Sequence, residues 1–288
     1  DSNGHTFKDE LDEVTIRDID NNELTASEVT YIWVTDADQL QGINNNGTDG
    51  LEYNYALKGD INASGVTDYK AIGTGSDTGF TGTFDGRGNR IIGLTVDGKD
   101  TANAGIFDTI GTNGVVKDVN IYSGNFTGSD NAGAVAGKNN GRIEGIITFG
   151  NTVTVTDENG NAGGITGTNS DTVDDVESTG SVIADGTNAI AGGLVGTNNG
   201  TLGKSYSNSA VTANIGTGSG LGGVVGVNTE NGNVSLVDSL GVTNGGAHLS
   251  NKVGGVIGIN NGTLNSAYNE SIVSGKDNVG GIIGDNSG

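Results

Sequence analysis

The sequence predicts an all-β fold, a parallel β-solenoid (β-helix) with about one three-stranded coil per ~29-residue repeat and a short N-terminal helix as a cap. Three observations lead there. First, a motif of the form AGGLVGTNNG returns along the chain, starting at Ala132, Ala162, Ala191, Leu221, Val253 and Val279, with a degenerate copy at Ala104. Its leading glycines, 105, 133, 163, 192, 222, 254 and 280, are separated by 28, 30, 29, 30, 32 and 26 residues. Second, the stretches between motifs are rich in β-branched residues and Thr, lack a helical apolar period, and meet turn residues every 6 to 10 positions. Third, a unit this short cannot bury its own apolar face, whereas identical units stacked on one another can. At the inter-strand spacing of ~4.8 Å, seven coils would make a rod section of roughly 34 Å.

In chain order, residues 1–30 form an N-terminal extension of unclear role, 31–103 a cap with irregular first coils, and 104–288 the repeats. The stretch YIWVTDADQLQGINNNG offers Thr35 as an N-cap with Asp38 three residues on, and places Ala37, Leu40 and Ile43 on one face of a helix of two to three turns. NYALKGDINAS, KAIGTG and FTGTFDGRGNRIIGLTVDG follow as strand-and-turn material, so the region reads as a cover for an otherwise open sheet edge. Within the six good repeats, the fourth residue after the leading Gly is always Gly (Gly137, Gly167, Gly196, Gly226, Gly258, Gly284). The sixth is always Asn (Asn139, Asn169, Asn198, Asn228, Asn260, Asn286). An Asn at a fixed turn position falls above the Asn of the next coil, which predicts a side-chain amide ladder. The glycines are expected to supply positive φ or close coil-to-coil approach. After the motif, Leu202, Tyr206 and Ala210 match Leu264, Tyr268 and Ile272, and their even spacing predicts that each set shares one face of extended chain.

Gly and Asn occupy 54 and 36 of the 288 positions, and Pro, Cys and Met are absent. Such a composition with high net charge fits disorder, but the regular return of Val/Ile/Leu clusters excludes it. A formal charge of -22 and a pI near 4.1 argue against nucleic acid or an anionic membrane as partner. No apolar run approaches the ~20 residues of a membrane helix, so no membrane insertion is expected in this segment. Without Cys there is neither a disulfide framework nor a thiolate metal site. The chain starts at Asp1 and ends within a repeat at DNSG, which reads as a piece of something longer.

Candidate chemistry is sparse. Gly203-Lys204-Ser205 has the end of a phosphate-binding loop, but Asn198 stands where its first Gly is needed and no helix is predicted to follow. The GTGSDTG loop, Gly73 to Gly79, lacks a βαβ context and reads as a surface turn. Asp18, Asp20 and Asn22 begin like an EF-hand loop, yet Glu23 and Val29 replace its Gly and its Glu. Asp18 and Asp20, with Asp174 and Asp175 beside Glu177, are left as weak Ca²⁺ candidates, and no other cofactor is expected. His5 and His248 have no ligand-spaced partner, and two His without Cys or G-x-S-x-G make a hydrolytic triad improbable. Acidic pairs that could serve a glycoside hydrolase arise by chance in a chain with 35 Asp and Glu. Trp33 reads as cap packing rather than as a sugar platform. Catalytic residues are therefore expected to be none. Seven N-x-[ST] sequons begin at Asn46, Asn62, Asn125, Asn199, Asn233, Asn261 and Asn269.

Three blocks resemble the filamentous-haemagglutinin-like exoproteins of bacteria that carry GLUG-motif repeats. They are the run from Gln39 through YALKGDINAS to Ala71-Ile72-Gly73, then FTGTFDGRGNRIIGLTV (Phe80 to Val96), then the GGLVGTNNGTL…SYS units, together roughly 90% of the chain. The resemblance implies a β-helical protein exported by two-partner secretion to the extracellular space or bacterial cell surface, with adhesive or scaffolding roles. Its implied partners are a host or neighbouring-cell surface, a glycan or matrix component, or further copies of itself. Three alternatives follow: a subunit of a self-assembling fibre, a non-catalytic stalk of a large surface peptidase, and a β-helix carbohydrate-active enzyme.

Overall fold

In a computed structural model, residues 31–45, 50–98, 102–214, 220–246 and 252–287 are described, with the strand backbone at Asp9–Glu10, Ile16–Arg17 and Glu23–Leu24. The chain is a parallel β-solenoid. Seven coils, residues 83–110, 115–139, 142–169, 172–198, 201–228, 233–260 and 263–286, stack on one another. Regular coiling thus starts at Thr83, and residue 104 lies inside the first coil. The long side of every coil joins an 18-stranded sheet, and its remaining two short strands join two 7-stranded sheets. The predicted count of strands is met as three sheet faces, with the long face bent into several segments.

Register is exact from coil to coil because the apolar side chains must point inward on every rung. One inward column runs Phe84, Val116, Ile143, Val173, Leu202, Val234 and Leu264, each paired with the next. The first six are fully buried, and Leu264 on the last coil is only partly so. The core is thin, since each coil adds only a few such residues to a single stack along the axis. Where the second Gly of the repeat passes, the facing side chain is a small polar one: a Cβ on Gly193 would stand 2.1 Å from the Ser207 hydroxyl.

A second column crosses the long face in a left-handed conformation. Asp118, Gly145, Asp175, Lys204, Leu236 and Ser266 occupy successive rungs with φ of 52, 63, 54, 39, 55 and 58°. A non-Gly residue there costs roughly 1–2 kcal/mol, which the paired rungs on either side must impose. The conformation advances the in/out alternation by one residue. Leu202, Ser205 and Ser207 therefore face inward, while Tyr206 faces out and is half-buried. The expectation that Leu202, Tyr206 and Ala210 share a face is overturned for this reason. The same holds on the last coil, where Tyr268 and Ile272 are 53% and 71% exposed while Leu264 turns inward.

At the N-terminal end the helix Ala37–Gly42 runs on into the 3₁₀ turn Ile43–Asn45, and Leu40 and Ile43 are fully buried. Its N-cap is Asp36 rather than Thr35: the Asp36 carboxylate accepts from the Gln39 N–H at 2.8 Å, and Gln39 Oε1 accepts from the Thr35 N–H at 2.9 Å. Gln39 thus holds the helix start from both sides, its N–H bonded to the Asp36 cap and its side chain to the residue before the cap. Side chains of this segment then saturate a sheet edge. Gln41 donates to Lys70 O at 3.1 Å and accepts from Lys70 N at 2.7 Å, and Asn44 accepts from Gly73 N at 2.8 Å. Ile72, between these contacts, bridges to Phe107 as the first rung of one short sheet. Covering such an edge removes a template for unwanted strand pairing.

The left-handed column gives a direct test. Leu236 is 56% exposed with φ 55°, so nothing packs against it to repay its strain. Leu236→Asn, a residue that tolerates this conformation, should raise stability by about 1 kcal/mol, read as an upward shift of the thermal midpoint.

Candidate functional site

The predicted Asn positions lie at one corner of the coil and inside it. Asn139, Asn169, Asn198 and Asn228 are fully buried and Asn260 nearly so. Each Nδ2 donates to the Oδ1 of the next Asn: Asn139 to Asn169 at 2.8 Å, Asn169 to Asn198 at 2.8 Å, Asn198 to Asn228 at 2.9 Å, Asn228 to Asn260 at 2.9 Å and Asn260 to Asn286 at 2.9 Å. Each amide also closes its own corner, as Asn198 Nδ2 does on Gly200 O at 3.0 Å. A shorter ladder that sequence reading missed joins Asn161 to Asn131 at 3.2 Å and Asn131 to Asn103 at 2.9 Å. It ends on the Asp108 carboxylate, which accepts from Asn103 Nδ2 at 2.9 Å.

The predicted glycines, Gly137, Gly167, Gly196, Gly226, Gly258 and Gly284, stand beside this ladder and none has positive φ. Of the two roles expected of them, close approach is the one present. A Cβ on Gly196 would lie 2.6 Å from Gly167 O, and one on Gly226 would lie 2.4 Å from the Ile190 side chain. These Asn and Gly columns are interior, so they hold the rod and face no ligand.

The candidate metal and phosphate positions do not converge. Asp18, Asp20, His5 and His248 lie outside the described residues. Asp174 points outward 3.9 Å from Lys204 Nζ, and Asp175 is the exposed left-handed residue of its coil. Among the described residues no three His, Cys, Asp or Glu gather as a metal site. In Gly203-Lys204-Ser205, Lys204 is the left-handed residue of the strand Thr201–Ser207, and the Ser205 hydroxyl turns inward onto Gly203 O. The Gly73–Gly79 turn is closed by protein groups, with the Ser76 hydroxyl accepting from Gly79 N at 3.1 Å and Asn44 Oδ1 from Gly73 N at 2.8 Å. Trp33 sits on the strand Tyr31–Val34 beneath two cations, Arg87 at 4.9 Å and Lys58 at 5.7 Å from its ring centre. That arrangement occupies the ring by cation–π attraction and leaves it as part of the N-terminal packing.

What remains for contact is the outward face of the long sheet. There a one-residue step occurs between the third and fourth coils: Phe149, Gly150, Asn151 and Thr152 of one face Thr179, Gly180 and Ser181 of the next. Coils four to seven keep the shorter corner. The step leaves a groove of about 380 Å³ that continues past Asn208 and Ala210 to Leu240, Gly241 and Val242. Phe149, 56% exposed, forms one wall and leans on Tyr122 with ring centres 5.8 Å apart. Sequence reading did not find this groove. Its only trace there is Phe149 beside Gly150 on a strand that otherwise alternates.

No family model matches the chain. Halomucin of Haloquadratum walsbyi is 33% identical to it over 158 residues, which cover 52% of this chain and 2% of halomucin. This chain therefore corresponds to a small part of that relative's length. A crystal structure from Bacteroides ovatus, of a protein with the provisional name immunoglobulin A1 protease, superposes with a TM-score of 0.65 at 19% identity. The overlap covers 92% of this chain and 84% of that one, and at this identity it speaks for the solenoid fold alone.

Two substitutions test the interior columns. Asn198→Ala leaves the buried Asn228 Oδ1 without its donor and takes one of three acceptors from Asn169 Nδ2, and should cost about 1–3 kcal/mol in urea unfolding, against little for Asn286→Ala at the exposed end. Gly196→Ala forces a methyl against Gly167 O and should cost about 1–3 kcal/mol, whereas Gly281→Ala, with nothing within 4 Å, should be near neutral.

Proposed function

We propose that this chain is an extracellular structural segment, a rigid rod of a bacterial surface or secreted protein that presents its side for attachment to a cell or matrix. The observation behind this reading is the division of labour across the wall of the solenoid. Residues that recur at fixed register, the Asn ladder and its glycines, are buried. Outward residues change freely from rung to rung, as in the column Asn120, Ile147, Glu177, Tyr206, Asp238 and Tyr268. A constant interior with a variable exterior suits a scaffold whose contacts differ along its length. The resemblance to GLUG-type exoproteins and the similarity to a stretch of halomucin support an extracellular location. The acidic surface, -22 overall, favours partners that are neutral or cationic. In this reading the protein binds without catalysis.

A second reading is a subunit of an extracellular fibre joined end to end, since a coil of this parallel solenoid pairs with its neighbours through backbone strands that another copy's coil can equally supply.

Beads coated with the folded protein should adhere to cells or to immobilised matrix glycoconjugates under flow, and beads coated with heat-unfolded protein should not. Equal retention of both would remove the attachment reading. In sedimentation of the soluble protein, a single monomeric species across a concentration series would remove the fibre reading.

A further inference from the structure

We infer that the groove between Phe149 and Val242 is a binding site for an uncharged, linear glycan lying along the rod axis. The inference rests on the attachment reading above and names its ligand class and its residues. Four features of the groove lead to it. Its lining contains no charged side chain, although the chain as a whole carries -22. Hydroxyl and amide groups enter it from consecutive coils: Thr152, then Thr179 and Ser181, then Asn208. Apolar surface stands at both ends, with Phe149 56% exposed at one and Val242 41% exposed at the other. Gly150 at the corner leaves the floor open to close approach by a ligand, since a Cβ there would meet nothing nearer than the Ser123 hydroxyl at 3.8 Å.

A neutral sugar chain matches each of these. Its rings present C–H faces to an aromatic wall and hydroxyls to the donors and acceptors of a polar floor, and it has a repeat to set against the repeat of the rungs. Glu177 and Asp238 lie outward two rungs apart on the same sheet, on either side of Tyr206, and disfavour a polyanionic glycan. A peptide added as a strand is excluded by topology. The strands under the groove are paired on both sides, 172–184 with the coils before and after it, so no edge is free there.

Isothermal titration decides the matter, with linear hexasaccharides of glucose, mannose and galactose, hexagalacturonate, and a neutral Ser/Gly/Tyr peptide as probes. At least one neutral hexasaccharide should bind, with hexagalacturonate and the peptide inert. Phe149→Ala should weaken that binding about tenfold, the worth of one aromatic contact. Val242→Asp, which brings a charge into the groove, should weaken it as well. Ile272→Ala, 71% exposed and outside the lining, should leave it unchanged. All three positions are exposed, and an unaltered thermal midpoint verifies each fold. Binding of none of the neutral sugars, binding of the peptide, or equal affinity in Phe149→Ala and wild type overturns the assignment. Coated beads of Phe149→Ala separate the two readings. If they still adhere to cells as wild type does, the groove falls and attachment stands; if wild-type beads do not adhere at all, the attachment reading falls.

Discussion

The structure depends on one constraint: every coil must sit in register on the one below. Backbone pairing alone would tolerate a slip of a residue, which would turn the whole apolar set outward. The buried Asn column forbids it. An amide shifted by one position would leave its donor and its acceptor unpaired in a dry interior, at a cost of several kcal/mol for each coil moved. Asn139 to Asn286 is therefore a set of register pins for the second to the seventh coil, while Ile110 takes the same position on the first. The same amides also donate to corner carbonyls that accept a backbone N–H from the next coil, as Gly200 O does from Asn198 Nδ2 and from Asn233 N, so each corner is tied twice.

A thin core brings a second demand, for small residues wherever the wall folds back on itself. Gly192 could not carry a side chain, because its Cβ would meet Val195 O at 2.0 Å within the same turn. Gly193 faces the Ser207 hydroxyl, and Gly223 faces that of Ser239 in the same way. These contacts explain how a chain with 33% hydrophobic residues folds at all: the volume to be filled is small, and much of it is filled by backbone. The Gly-rich composition that resembles a disordered linker is here the means of close packing.

The solenoid and its Asn column are legible in the sequence because identical chemistry is required at identical register on every rung, and repetition survives in a single chain. The left-handed column is illegible because the backbone, not the side chain, is what repeats. Asp118, Gly145, Asp175, Lys204, Leu236 and Ser266 share a conformation and no residue type. Missing it also shifts the reading of Tyr206 and Tyr268, since alternation counted through a left-handed residue fails by one. The short ladder of Asn103, Asn131 and Asn161 gives way to Ile190 and Gly220 after three rungs, too few to stand out. The groove is hidden for another reason. The single residue lost between Asn151 and Gly180 shortens the motif spacing only from 30 to 29, a change that does not stand out among spacings of 26 to 32.

The two ladders also run in opposite senses. In the long one every amide donates toward the C-terminal coil, and in the short one toward the N-terminal end. Parallel amide dipoles add and polarise one another, so each ladder has a positive pole at its donor end. The short ladder discharges its positive pole onto the Asp108 carboxylate, which stands at the rung position that later coils give to Gly. The long ladder has its positive pole at Asn286, on the exposed last coil. The two corners of the rod are thus electrically opposed, one pointing its donors toward the C-terminal coils and the other toward the N-terminal cap.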